Sequence, residues 1–244
     1  MVKDKTDHTV TARIIEVEMY YHNEAHRDPF VHCDEGQLTS GCWYFHRQNG
    51  KGYKAGTFKG LDITCGDAKN KTFGGILIRS IMVGKQIIEG PCKVVDWILV
   101  NTEIPTIAEL VQTFASEVGS VWDTNGRLYL DVLPERDTRD VHAAPRYGLT
   151  LKGADNLHHL KFKYIMKKYR FTTHPSYLSK DKCLLGLSVH FDHPEFEDNF
   201  RASDMAKWLA LYEEANSTKK EDFCGSPLKT IKDRCEAFYH FAFQ

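Results

Sequence analysis

Along residues 12–20, "ARIIEVEMY", apolar and polar side chains alternate: Ile15, Val17 and Met19 share one parity, Glu16, Glu18 and Tyr20 the other. A period of two predicts a β-strand over 12–19 with one apolar face. Taken alone, that pattern describes a half-buried strand whose polar side meets water. Similar runs predict strands over 57–65 and 75–81 ("GILIRSI"), 126–132 ("GRLYLDV"), 142–151 ("HAAPRYGLTL") and 161–171 ("KFKYIMKKYRF"). Elsewhere the spacing turns helical. Ile107, Leu110, Val111 and Phe114 form a stripe behind a Thr106–Glu109 capping box, which predicts a helix over 106–118. "ASDMAKWLALYEEA" predicts an amphipathic helix over 202–215 capped by Ser203 or Asp204, and 227–239 predicts another. Residues 21–56 read as one long loop, and its "CWYFH" stretch argues against disorder. The chain therefore reads as an α+β fold: a sheet domain over 10–172 and a helical C-terminal extension over 173–244.

Composition narrows the partners only slightly. The 244 residues are 42% hydrophobic and 27% charged, ordinary for one globular domain with an elaboration. A formal net charge of −1 gives no global attraction to nucleic acid, so a local patch must supply any. Lys161, Lys163, Lys167, Lys168 and Arg170 interleave with Phe162, Tyr164 and Tyr169, and are the candidate contacts to a phosphate backbone. The first ten residues lack the apolar run of a signal peptide, and the apolar stretch 94–100 is interrupted by Asp96. Seven cysteines, an odd number, fit reduced thiols in an intracellular compartment. Cys33, Cys42 and His46 lack the spacing of a zinc ribbon, so incidental thiols, and no metal, are expected.

Candidate chemistry comes from motif order. After "ARIIEVEMY" follow "DPFVH" (28–32), "GTFKGLDITCG", "ILIRSI" with Arg79, "APRYGL" with Arg146 and "LKFKYIMKKYRF". In this order and approximate spacing, residues 12–171 resemble the alkyladenine (3-methyladenine) DNA glycosylase family. That resemblance implies a curved, mostly antiparallel sheet or partial barrel with flanking helices. It also implies a monofunctional hydrolase that needs no cofactor and acts, as a monomer, on a base flipped out of double-stranded DNA. Glu18 matches the family's general base, a carboxylate able to deprotonate water and steady the charge on the sugar. Tyr20 matches the aromatic beside the extruded base, His32 and Arg79 match residues near the water, and Arg146 matches the arginine of the Pro-Arg-x-Gly motif. No lysine falls in the matched pocket motifs, so no Schiff-base step is expected.

The match departs from the family around "GTFKGLDITCG". Asp62 stands at the stacking position and Cys65 at the wedge, leaving Phe58 as the alternative aromatic wall, and Asn70 as the replacement for a pocket-floor asparagine. An acidic wall suits a base with polar substituents, such as a bulky hypermodified base in foreign phage or viral DNA. Two rivals stand beside this reading. One is a catalytically inactive nucleic-acid-binding homologue. The other is a carbohydrate glycosidase using Glu16 and Glu18, which lie about 6.5 Å apart along a strand but point in parallel rather than flanking a bond.

Overall fold

The computed structural model describes residues 1–48, 52–114, 119–132 and 138–243. The chain forms two compact units, Met1–Arg27 with Val31–Thr138 and Asp28–Phe30 with Arg139–Gln244. The division falls near residue 138, not at the 172 expected from the sequence. The architecture is mixed α/β, with antiparallel strands that do not close into a barrel.

The first unit begins with a short pair, β1 (Val2–Lys3) and β2 (Thr9–Val10). Its main strands are β3 (Arg13–His22), β4 (Ser40–Phe45), β5 (Leu61–Cys65), β6 (Phe73–Val83) and β7 (Gln86–Glu89), followed by α1 (Pro91–Thr102) and α2 (Ile107–Gln112). The order is β4-β5-β6-β3, all antiparallel, and β7 pairs with the C-terminal end of β6. Register decides what each face carries. Phe45↔Leu61, Trp43↔Ile63↔Ile76 and Val17↔Ile78 fall on one face. Trp43, Phe45, Leu61 and Ile78 from that face join Val94, Val95 and Ile98 of α1 in the core. The other parity runs Tyr44↔Asp62↔Leu77↔Glu18 across four strands and carries the polar groups considered below.

Several elements depart from expectation. The presumed loop contains β4, because Trp43 and Phe45 alternate with Tyr44 and bury. The strand expected over 57–65 starts at Leu61, after a 3₁₀ turn at Gly56–Phe58. Helix α1 was hidden by Asp96, which faces outward and pairs with Lys59 at 2.5 Å. The segment 126–132 makes one isolated bridge, Val2↔Leu128, rather than a strand. In α2 the Thr106 side chain accepts from the Glu109 amide as expected, but the helix ends at Gln112. Residues 115–118 of the expected helix lie outside those described.

The second unit holds β8 (His142–Ala144), α3 (Leu160–Tyr164), β9 (Arg170–Thr172), α4 (Lys182–Asp192), α5 (Ala202–Glu214) and α6 (Ile231–Phe241). Strands β8 and β9 pair antiparallel. The strand expected over 161–171 is mostly helix and turn. Phe162, Ile165 and Met166 bury at helical spacing, and His159 caps the Lys161 amide. Helix α4 showed no amphipathic pattern because Cys183 through Val189 are all buried. Helix α5 is preceded by Arg201, whose guanidinium pairs with Asp204, so neither Ser203 nor Asp204 is the cap. Leu228 adopts a left-handed backbone (φ 48°), delaying α6 to Ile231, where Thr230 and Asp233 form a reciprocal capping box. Thr230→Ala should cost about 1 kcal/mol, read as a lower urea midpoint at unchanged slope.

Candidate functional site

The polar face of the first unit concentrates charge in a buried place. Glu16, Glu18 and Asp62 are at most 1% exposed. Burying an ionised carboxylate is costly unless it is paired and hydrogen-bonded. Arg79 of β6 supplies the charge, its Nε lying 3.2 Å from Glu16 Oε1 and 3.5 Å from Glu18 Oε1. The Tyr20 hydroxyl donates to Glu18 Oε2 at 2.9 Å, and the Ser80 hydroxyl donates to Glu16. Burial works against the Arg79 charge, but Glu18 and then Glu16 outweigh it and raise its pKa above the ordinary value. Register shifts on both sides of Glu16 re-aim it so that it shares the guanidinium with Glu18. Both carboxylates thus turn to one cation, an arrangement unlike the flanking pair a carbohydrate glycosidase needs.

Asp62 forms a second centre on the same face. Its Oδ1 lies 2.8 Å from His46 Nε2, and Gln37 Nε2 donates to Oδ2 at 3.3 Å. Gln37 comes from a 3₁₀ turn at Glu35–Leu38, with Asp34 and Gln37 completing a capping box. Two glycines make the room. A Cβ at Gly75 would stand 2.5 Å from Asp62 Oδ2, and one at Gly60 would stand 2.5 Å from His46 Nδ1. His32 packs edge-on against His46 at 5.2 Å, and Lys54 Nζ lies 3.2 Å from His32 Nε2. Burial lowers the pKa of His32, helped by the charges of Lys54 and His46. Burial likewise lowers that of Lys54, opposed by Asp62. Tyr44, beside His46 with ring centroids 6.0 Å apart, is held protonated by burial and by Asp34.

The expected site residues therefore separate. Glu18, Tyr20 and Arg79 meet directly. His32 instead joins Lys54, His46 and, through His46, Asp62. Phe58 is 76% exposed on its 3₁₀ turn, so the aromatic beside Asp62 is Tyr44. Cys65 falls on the opposite parity from Asp62 and meets Gly74, so strand alternation removes it from this face. Asn70 is tied to Asp67 within a turn. In the second unit, Arg146 pairs with Asp28 at 2.7 Å and lies over the rings of Phe30 and Tyr169 at 5.5 and 5.4 Å.

The basic stretch is helix and turn up to Tyr169 rather than one strand, and its side chains do not share a face. Arg170 is fully buried, Lys168 pairs with Asp192 at 2.6 Å, and the Lys161 amine donates to the Lys152 carbonyl. Lys167 is half-buried, while Lys163 is exposed on α3 with its Nζ 5.5 Å from the Tyr164 ring centre. Gln37, Tyr44, His46 and Lys54 carry the second centre, yet the motifs pointed to none of them. The detectable signal was the alternation within "CWYFH". Among the described residues no group of three or more His, Cys, Asp or Glu side chains is arranged to hold a metal ion, and no helix is long and apolar enough to cross a membrane.

No protein-family model matches the sequence. An uncharacterized protein of Acanthamoeba polyphaga mimivirus is 38% identical over 169 residues, covering 64% of this chain and 76% of the viral protein. The chain belongs to the same family as that viral protein.

Proposed function

We propose that the protein is a monofunctional DNA glycosylase, with the sheet of its first unit a divergent form of the alkyladenine glycosylase sheet. Glu18 deprotonates a water that attacks the anomeric carbon of a flipped-out nucleotide. One observation carries the reading: a carboxylate at 0% exposure, aimed by the Tyr20 hydroxyl and the Arg79 guanidinium. Held this way it has the fixed geometry that general-base work and stabilisation of a cationic sugar both require. The Asp62–His46–Gln37 wall favours a base with polar substituents over a flat alkylated purine, which calls for stacking.

A panel of duplexes tests this, carrying alkylated, deaminated and hypermodified bases and assayed for abasic sites. Wild type should release at least one, and Glu18→Gln should release it at least ~100-fold more slowly. Equal activity of the two proteins overturns Glu18 as the base. Duplex binding with no release from any member of the panel would favour the inactive binding homologue.

A further inference from the structure

Strand β8 of the second unit turns a titratable ring inward, where an apolar one would be expected. Val141, just before the strand, is 58% exposed, and alternation turns His142 and Ala144 inside, at 5% and 0%. Strand β9 pairs with β8, placing Thr172 opposite His142, and α4 lies against β8. The His142 ring packs edge-on against His193 and Phe196, with centroids 5.3 and 5.1 Å away. His193 caps the C-terminus of α4, and Phe196 belongs to the 3₁₀ turn Pro194–Asn199 that follows. His142 Nδ1 is buried with no hydrogen-bond partner among the described residues.

These surroundings suit only the neutral ring. A neutral imidazole here already forgoes one hydrogen bond, whereas the cation would bring two N–H donors and a charge out of water. Burial and then His193 lower the His142 pKa, opposed by Asp140 and Glu195. Glu195 lies 3.6 Å from His193 Nδ1. The remaining charges around the strand are held in other pairs or carry the same sign. Arg139 pairs with His174, His190 of α4 with Glu197 at 2.8 Å, and Asp192 with Lys168. Arg170 of β9, opposite Ala144, is a buried cation. Lys182 stands at the far end of α4.

We propose that His142 is an acid-sensitive latch: as a neutral ring it fastens β8 to α4 and the turn after it, and on taking up a proton it releases the strand. The folded pKa lies below the unfolded value of about 6.5. The stability His142 lends is therefore whole above that pH and is lost as pH falls toward the folded value. Opening takes up one proton, so across this window the opening constant rises by up to about tenfold per pH unit. Arg146 follows shortly after β8, so the latch also governs solvent access to its buried pair with Asp28.

Amide hydrogen exchange of the full chain tests this, read by mass spectrometry from about pH 7.5 to about 5.5 and corrected for intrinsic rates. Wild type is compared with His142→Phe, which keeps a ring for the edge contacts but cannot titrate. In wild type, peptides spanning 140–146 and 188–197 should lose about 3- to 10-fold in protection over that range, while those of β3 and β6 change by less than about 2-fold. In His142→Phe the same second-unit peptides should stay protected throughout. Wild-type protection at β8 that is flat with pH overturns the proposal, as does a pH dependence that survives in the variant. Parallel loss of protection in both units reports global acid unfolding and overturns it as well. Should His142→Phe fail to fold, His142→Gln, which is polar and also cannot titrate, carries the same comparison.

Discussion

Arg79→Met is expected to destabilise the first unit by about 3–5 kcal/mol at neutral pH, because it leaves Glu16 and Glu18 buried without their cation. Methionine approximates the arginine stem, so the loss is of charge and hydrogen bonds more than of volume. The pH dependence distinguishes this cause from a packing defect. In wild type the folded pKa of Arg79 is raised, so its stabilisation is complete below the unfolded value, itself far into the alkaline range, and fades only as pH rises past the folded one. Arg79 titration therefore contributes no slope between about pH 5 and 9. In the variant the carboxylates can remain buried only by taking up protons, so the deficit should shrink as the solution is acidified toward about pH 5. Urea denaturation at several pH values reads both statements. Adding Glu16→Gln and Glu18→Gln to Arg79→Met should recover most of the stability at neutral pH. A deficit that is constant with pH and survives the triple substitution would trace instead to lost packing.

What could be read in advance follows from how local each signal was. The alternation of β3 exposed the shared parity of Glu18 and Tyr20, and the motif order drew in Arg79 from 61 residues away, 79 minus 18. Those three meet. The same alternation left burial open, since a polar parity looks identical whether it faces water or a counter-charge across the sheet. Glu16 and Glu18 required Arg79 and Ser80 to become core residues, and pairing across strands is not written in either strand alone. Asp62 was visible only as a departure from a motif. Its partners His46 and Gln37 sit in a segment taken for loop, where β4 spans just Ser40–Phe45. In the second unit the alternation of basic and aromatic residues misled. Phe162 and Tyr164 fit period two, but Ile165 and Met166 complete a helical set with Phe162, and tertiary burial chose the helix. Arg170, expected at a phosphate, is wholly inside. A long basic side chain in a short strand gives no local sign of which way it goes.

The second unit should depend as strongly on Arg146. Its side chain and that of Asp28 are both fully buried and 2.7 Å apart, joining the chain near residue 28 to the segment after β8. Removing one member of such a pair costs more than removing both, since the survivor keeps its desolvation penalty. Arg146→Met is therefore expected to lose about 3–5 kcal/mol. It forfeits in addition the contacts of the guanidinium with the Phe30 and Tyr169 rings, each about 0.5–2 kcal/mol in a desolvated setting. Asp28→Asn keeps one acceptor oxygen, enough for Arg146 or for the Phe30 amide that bonds Asp28 Oδ1 at 3.0 Å but not for both, and it leaves no buried unpaired carboxylate, so its loss should be smaller than that of Arg146→Met. The double variant should be more stable than Arg146→Met alone, a coupling of opposite sign to simple addition. Equilibrium denaturation of the three proteins with wild type closes the cycle. Additive losses would mean that Asp28 draws its compensation from other groups and that Arg146 acts through its two aromatic contacts.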